Sequence, residues 1–281
     1  MTQPLVYIIV LNWNGRQLTI DCLDSLLKIS YQNYKILVVD NGSADNSVDF
    51  IKHNYQDVEL LELKENLGFA RGCNAGFKSI NGKCDYVIFL NNDTIVDKQF
   101  LETLISPLIQ TEQVAQTVPK IYYMDHPDKI WYAGGRVNLW FGMIRHLGIR
   151  KTDSPANSLA NMTDYATGCC FCVRAGDFES IGMFNETYSM YAEDVDLSLR
   201  FRNNRQDVMF VPSSKVWHKI SASLGGSFSL RKWNSKTASK TKLILKYIRW
   251  YQFPSAIISL FLLSIIEVCL AIILHKGKRN S

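Results

Sequence analysis

From Val6 to Leu90 the sequence alternates short apolar runs with segments of helical period, and this alternation limits the fold more than any other feature. Val6 to Leu11, Lys35 to Asp40, Val58 to Leu63 and Asp85 to Leu90 are apolar or β-branched runs of strand length. Between them, Arg16 to Ile29, Asp45 to His53 and Phe69 to Ile80 carry apolar residues at helical spacing. A repeated β-α unit builds a mainly parallel sheet flanked by helices, and its ligands gather where the carboxyl ends of strands meet helix N-termini. Asn12, Asp40 and Asn91 each follow a predicted strand directly, so all three are expected along one edge. Residues 122 to 165 break the pattern; with Gly134-Gly135, Trp131, Trp140 and Phe141 they read as an irregular wall or lid over that edge.

A chain of 281 residues that is 47% hydrophobic has ample material for a buried core. Its net charge of +5 is unevenly placed. From Arg231 onward ten Lys/Arg face the single Glu267, which leaves 21 Lys/Arg against 25 Asp/Glu in residues 1–230. The sequence therefore divides into a main domain, 1–230, and a basic, apolar tail, 231–281. Basic residues that flank apolar sequence suit an anionic membrane surface, and nucleic acid is not an expected partner because no base-stacking aromatics interleave with them. Seven cysteines, with no basic start or long apolar run at Met1-Thr2-Gln3-Pro4, point to a reducing, cytosolic setting. Cys169-Cys170-Phe171-Cys172 has a CxxC spacing but no second pair or histidine at zinc distance, so buried structural thiols are expected.

Several polar clusters interrupt apolar runs abruptly. Val39-Asp40-Asn41-Gly42-Ser43 ends a strand on a carboxylate that can accept from a pyrimidine imide N–H or a ribose hydroxyl; alone, an Asx turn and helix cap explain it better. Asn66-Leu67-Gly68-Phe69-Ala70-Arg71 adds small residues that let backbone approach a ligand, and Arg71 offers a fork suited to phosphate oxygens. Leu90-Asn91-Asn92-Asp93-Thr94 could hold a hard divalent cation bridging two phosphates, although the same residues make a capping turn. Glu193-Asp194 opens a predicted helix running to about Asn204, and Asp194 is the candidate general base. Asp196 and Arg200, four apart, read as a helix-face ion pair contributing about 0.3–0.5 kcal/mol. Val216-Trp217-His218 ends another apolar run, and a lone histidine there is more often structural than a metal ligand.

Taken in order, Val6 to Gly15, Val39-Asp40-Asn41-Gly42-Ser43, Asn66 to Ala70, Leu90-Asn91-Asn92-Asp93, Thr167-Gly168-Cys169, Glu193-Asp194-Val195-Asp196-Leu197 and Trp217-His218 resemble family 2 inverting glycosyltransferases of the GT-A fold. The rhamnosyltransferase-like branch, acting on bacterial surface polysaccharides, looks nearest, and the resemblance spans about residues 5 to 220. It implies that Asp40 contacts the base or ribose, that Asp93 matches the final acid of the Asp-X-Asp metal motif, that Asp194 matches the base, and that His218 joins the shell of a Mg²⁺ or Mn²⁺ ion. Asn91 stands where the first acid of that motif would be, as in many members of the branch. On the donor side the motifs contribute Asn12, Asn14, Asp40, Asn66, Arg71, Asn91 and Asn92; Gly168, Glu193 and Trp217 fall on the acceptor side.

The expected reaction is transfer of a sugar, with inversion, from a dTDP or UDP donor to a glycan or polyprenyl-diphosphate-linked acceptor. A non-catalytic nucleotide-sugar-binding scaffold is the alternative, supported only by Asn91 and opposed by Asp93, Asp194 and His218. A nucleotidyltransferase is disfavoured, since no Gly-rich, Arg/Lys-bearing loop lies near the N-terminus. In the tail, Lys236 to Tyr251 is basic with apolar residues at helical intervals, and Phe253 to Leu274 is nearly continuous apolar sequence broken by Glu267. Glu267 and Pro254 favour interfacial or re-entrant membrane-associated helices over a single span, with a buried helix in a homodimer interface as the third reading. The expected location is the cytoplasmic face of the plasma membrane, where a polyprenyl-linked acceptor would reside.

Overall fold

A computed structural model describes residues 3–188, 191–220 and 230–259, with side chains in the last segment from residue 234. The predicted alternation is present: β1 (Val6–Asn12), α1 (Arg16–Leu26), β2 (Tyr34–Asp40), α2 (Ser47–Asn54), β3 (Glu59–Glu62), α3 (Phe69–Ile80) and β4 (Tyr86–Asn91) follow in turn. These four strands lie in the order β3-β2-β1-β4, all parallel, with Asn12 opposite Asp40 and Leu11 opposite Asn91. β1 thus sits between strands reached by connections in opposite directions, which opens a crevice at the carboxyl ends of β1 and β4. β1 and β4 are buried almost throughout, as parallel strands covered on both faces must be. Helix α3 packs on β1 and β2 so closely that a Cβ on Gly76 would lie 2.6 Å from Val39 Cγ2. That glycine serves helix-on-sheet packing rather than close approach of a ligand.

The second half of the sheet is mixed, where the sequence pointed to a mainly parallel one. After β5 (Thr94–Val96) and α4 (Phe100–Gln110) come β6 (Val114–Tyr123), β7 (Ile130–Tyr132), β8 (Gly135–Asn138), β9 (Met143–His146), β10 (Asn161–Thr163) and β11 (Cys170–Arg174). The chain ends, among the described residues, with α5 (Ala175–Ser180), α6 (Glu193–Asn203), β12 (Asp207–His218), α7 (Leu230–Tyr247) and a short helical stretch at 250–259. β11 runs antiparallel between β4 and β6, and β12 is parallel to β6 but antiparallel to β5 and β10. Continuous apolar runs reveal that a strand is buried, not which strand lies beside it. The 122–165 excursion is built of short strands, with β8 and β9 forming a separate two-stranded hairpin.

Beneath the crevice Phe89, Phe171, Phe178 and Phe184 pack with ring centroids 4.8–5.9 Å apart. This cluster ties β4 and β11 to the segment that leads into α6. Cys169, Cys170 and Cys172 are buried free thiols whose acidity burial suppresses, in keeping with a structural role. Among the described residues no helix is long and apolar enough to cross a membrane. Most of the apolar run from Phe253 to Leu274, including Glu267, lies outside the described residues.

Candidate functional site

The carboxyl ends of β1, β2 and β4 meet in a polar network at the sheet edge. Asn12, fully buried, donates through Nδ2 to Asp40 Oδ1 at 3.0 Å and to Ser47 Oγ at 3.0 Å, while its Oδ1 accepts from Thr19 Oγ1 at 2.9 Å and from Asn92 Nδ2 at 3.0 Å. Asp40 Oδ2 also accepts the Ser43 N–H at 2.8 Å. A carboxylate has about four lone-pair sites, so two stay available for a ligand's N–H or O–H groups. Asn14, in the left-handed region at φ 49°, accepts the Ala44 N–H at 2.7 Å and holds the turn beside the network. Asn66 accepts from Asn41 Nδ2 at 3.0 Å and from the Gly68 N–H at 2.8 Å, which fixes the entry to α3. Thr19 and Ser47 belong to this edge as firmly as the residues sequence reasoning found, but single polar residues inside helices carry no motif signal.

Asp93 and His218 come together because β5 pairs with β12 in a register that puts His218 opposite Thr94. The Lys219 N–H donates to the Asp93 carbonyl at 2.8 Å, and His218 Nε2 lies 3.1 Å from Asp93 Oδ1. Both side chains are buried; His218 Nδ1 has no hydrogen-bond partner, and Asp93 Oδ1 has only this contact with the imidazole. Buried polar atoms without partners are costly unless something occupies them, and an adjacent carboxylate oxygen and imidazole nitrogen are donors to a divalent cation. Among the described residues no set of three or more His, Cys, Asp or Glu converges as a metal cluster. Two protein donors nonetheless fit an ion of the Mg²⁺ type, which takes one or two protein ligands and fills its remaining positions with phosphate oxygens and water. Trp131 sits edge-on to both His218 and His146, at 4.7 and 4.6 Å, and fixes the imidazole plane. Burial lowers the His146 pKa to about 4, so this second ring is neutral near pH 7.

Asp194, the candidate base, is linked by hydrogen bonds to the end of β4. The Asn91 N–H donates to the Cys169 carbonyl at 2.9 Å, and the preceding residue, Gly168, donates its N–H to Asp194 Oδ2 at 2.8 Å. Two successive peptide groups therefore join the end of β4 to Asp194. Gly168 thus holds the side chain of Asp194, the candidate base. Tyr191 and Ala192 take φ values of 67° and 77°, a strained pair of left-handed residues that turns the chain into α6. Burial raises the Asp194 pKa, and the N–H groups of Gly168 and Val195 oppose that rise. The neighbouring Glu193 is raised further, to about 8, first by burial and then by the charge of Asp194; its Oε2 has no partner.

Two expected residues lie apart from this constellation. Trp217 stacks on Tyr122 with ring centroids at 5.8 Å, as alternation along β12 requires of the residue next to His218. Arg71, exposed on α3, pairs with Glu186 at 3.8 Å. Asp196, read as half of a surface pair, is fully buried: it takes Arg200 Nε at 3.0 Å, Lys246 Nζ at 2.6 Å and the Tyr247 hydroxyl at 3.0 Å. Spacing along one helix could show only the first of these.

The chain is similar to known proteins. The N-acetylglucosaminyl-diphospho-decaprenol L-rhamnosyltransferase of Mycobacterium tuberculosis (strain ATCC 25618 / H37Rv) is 25% identical over 231 residues, 72% of this chain and 72% of that protein. Rhamnosyltransferase WbbL of Escherichia coli (strain K12) is 27% identical over 223 residues, 76% and 83% of the two chains. In three dimensions the chain is similar to GalNAc-T7, solved with UDP, GalNAc and Mn²⁺, at a TM-score of 0.66 and 16% identity. That match covers 86% of this chain and 47% of the other, so the chain spans about half of the solved one, and the likeness speaks to fold alone. Residues 7–182 match Glycosyl transferase family 2. The chain belongs to this family and is a glycosyltransferase.

Proposed function

We propose that the protein transfers a sugar, rhamnose by analogy with its relatives, from a dTDP- or UDP-type donor to a lipid-linked or polysaccharide acceptor, with inversion and with a divalent metal. The observation that carries this reading is a buried carboxylate, Asp194, tied through the Gly168-Cys169 peptides to Asn91 at the end of β4, two residues before Asp93 and its neighbour His218. Bacterial surface-glycan synthesis at the cytoplasmic face of the membrane is the setting that suits a lipid-linked acceptor.

Asp40 and the Asn12 network would receive the nucleoside, because their remaining lone pairs match an imide N–H or ribose hydroxyl. Asp93 and His218 would hold the cation, which when bound neutralises the negative charge of the departing nucleoside diphosphate. Asp194 takes the proton of the acceptor hydroxyl as that oxygen attacks the anomeric carbon, and its raised pKa makes it a better base than an exposed aspartate. Glu193, protonated beside it, adds no second negative charge against the incoming oxygen.

The test is to incubate the purified protein with a panel of nucleotide sugars, with and without Mg²⁺ or Mn²⁺, and to measure nucleotide release. Release of nucleoside diphosphate, metal-dependent and with one donor preferred, is expected; pyrophosphate as product, or full activity in excess chelator, would overturn the reading. Asp194→Asn should lose about 10²–10⁴-fold in turnover while still binding donor.

A further inference from the structure

The β8–β9 hairpin carries a feature that donor chemistry does not use. Its register sets Arg136 directly opposite Arg145, and like charges facing each other across strands are destabilising without a shared counter-ion. Arg136 reaches Asp164 at 3.6 Å, but that carboxylate is already engaged by Arg202 at 3.1 Å and by the Val137 N–H at 2.9 Å. Arg145 makes no ion pair with any described residue. Both arginines line a cavity of about 630 Å³ between the hairpin and the C-terminal segment, closed at one side by Gln252. Next to the arginines the lining is apolar, with Met143 on the same face of β9 and Trp140 in the hairpin turn, and Trp140 packs against Tyr251 at 5.6 Å. Around it Trp140 and Phe141 are each 49% exposed and Trp250 is 85% exposed.

A guanidinium pair beside an exposed aromatic wall suits a ligand that is anionic at one end and apolar at the other. The cavity is joined to the candidate site through the chain: Asp164, on its lining, is followed by Tyr165, whose ring lies against Gly135 of the hairpin, and three residues later by Gly168, whose N–H donates to Asp194.

We propose that this cavity holds the diphosphate and first isoprene units of a polyprenyl-diphosphate acceptor, with Arg136 and Arg145 on the phosphates and Trp140 and Tyr251 along the chain. The proposal rests on the reading of the protein as a transferase to a lipid-linked acceptor. It makes the hairpin a part of acceptor recognition rather than a simple wall.

Farnesyl diphosphate is a soluble probe of this chemistry, and titration calorimetry of the full chain in EDTA keeps the Asp93–His218 pair from contributing a metal. Wild type should bind it, and Arg145→Gln, a change at an exposed side chain, should weaken binding about tenfold or more, as loss of a charge-assisted hydrogen bond predicts. Arg145→Lys should recover part of the loss. Equal affinity in wild type and Arg145→Gln would overturn the proposal. So would inorganic pyrophosphate, farnesol or phosphatidylglycerol vesicles binding as tightly as the probe, or displacement of the probe by UDP. The measurement needs no donor: probe binding without nucleotide release from any sugar donor would sink the proposed function, whereas release without probe binding would sink only this site.

Discussion

Glu193 and Asp194 are adjacent acids held differently by their surroundings. Asp194 receives two backbone N–H groups that favour its charged form, whereas Glu193 has a buried oxygen with no partner. Glu193 therefore keeps its proton up to about pH 8 in the folded protein, against about 4.3 in an unfolded chain. Between those values the folded state binds the extra proton, so this residue makes stability fall as pH rises, by at most about 1.4 kcal/mol per pH unit. Thermal melts from pH 5 to pH 8.5 should show Glu193→Gln losing less stability across the range than wild type; parallel curves would refute the assignment. The two acids were legible in sequence because they open a helix after a turn. Their contrast was not, since it depends on Gly168 and on burial. Asp196 makes the same point, as the partners that distinguish it from a surface ion pair come from α7.

At the scale of elements, the first four strands and three helices were readable because period and turn residues agreed. The 122–165 segment was not, because strands of three or four residues are too short for alternation to register. The Gly134-Gly135 pair was its one clear signal, and packing explains Gly135: a Cβ there would lie 2.2 Å from the ring of the buried Tyr165. Gly135→Ala must displace either that ring or the hairpin, at a cost of about 1–3 kcal/mol typical of overpacking. Urea unfolding should show a lower midpoint with an unchanged slope; an unchanged midpoint would mean that the hairpin is not fixed against Tyr165.

Across the whole molecule, the boundary suggested by charge at residue 231 does not coincide with a boundary in packing. Leu243 and Ile244 are buried, and Lys246 and Tyr247 close over Asp196 on α6, the helix that also carries Asp194. Truncation after Arg231 should therefore lower the melting temperature markedly and reduce transfer, since it removes these contacts. A melting temperature equal to that of the full chain would show that α7 contributes nothing to the domain. The parallel half of the sheet followed from local sequence, but the mixed half depends on which distant strands meet. The Asp93–His218 pair belongs to that second category, for its members come from opposite halves of the chain and meet only when β12 closes against β5. A nascent polypeptide that has emerged only as far as Asp93 lacks the histidine that faces it, so the pair is assembled only once β12 has been synthesised and has closed against β5.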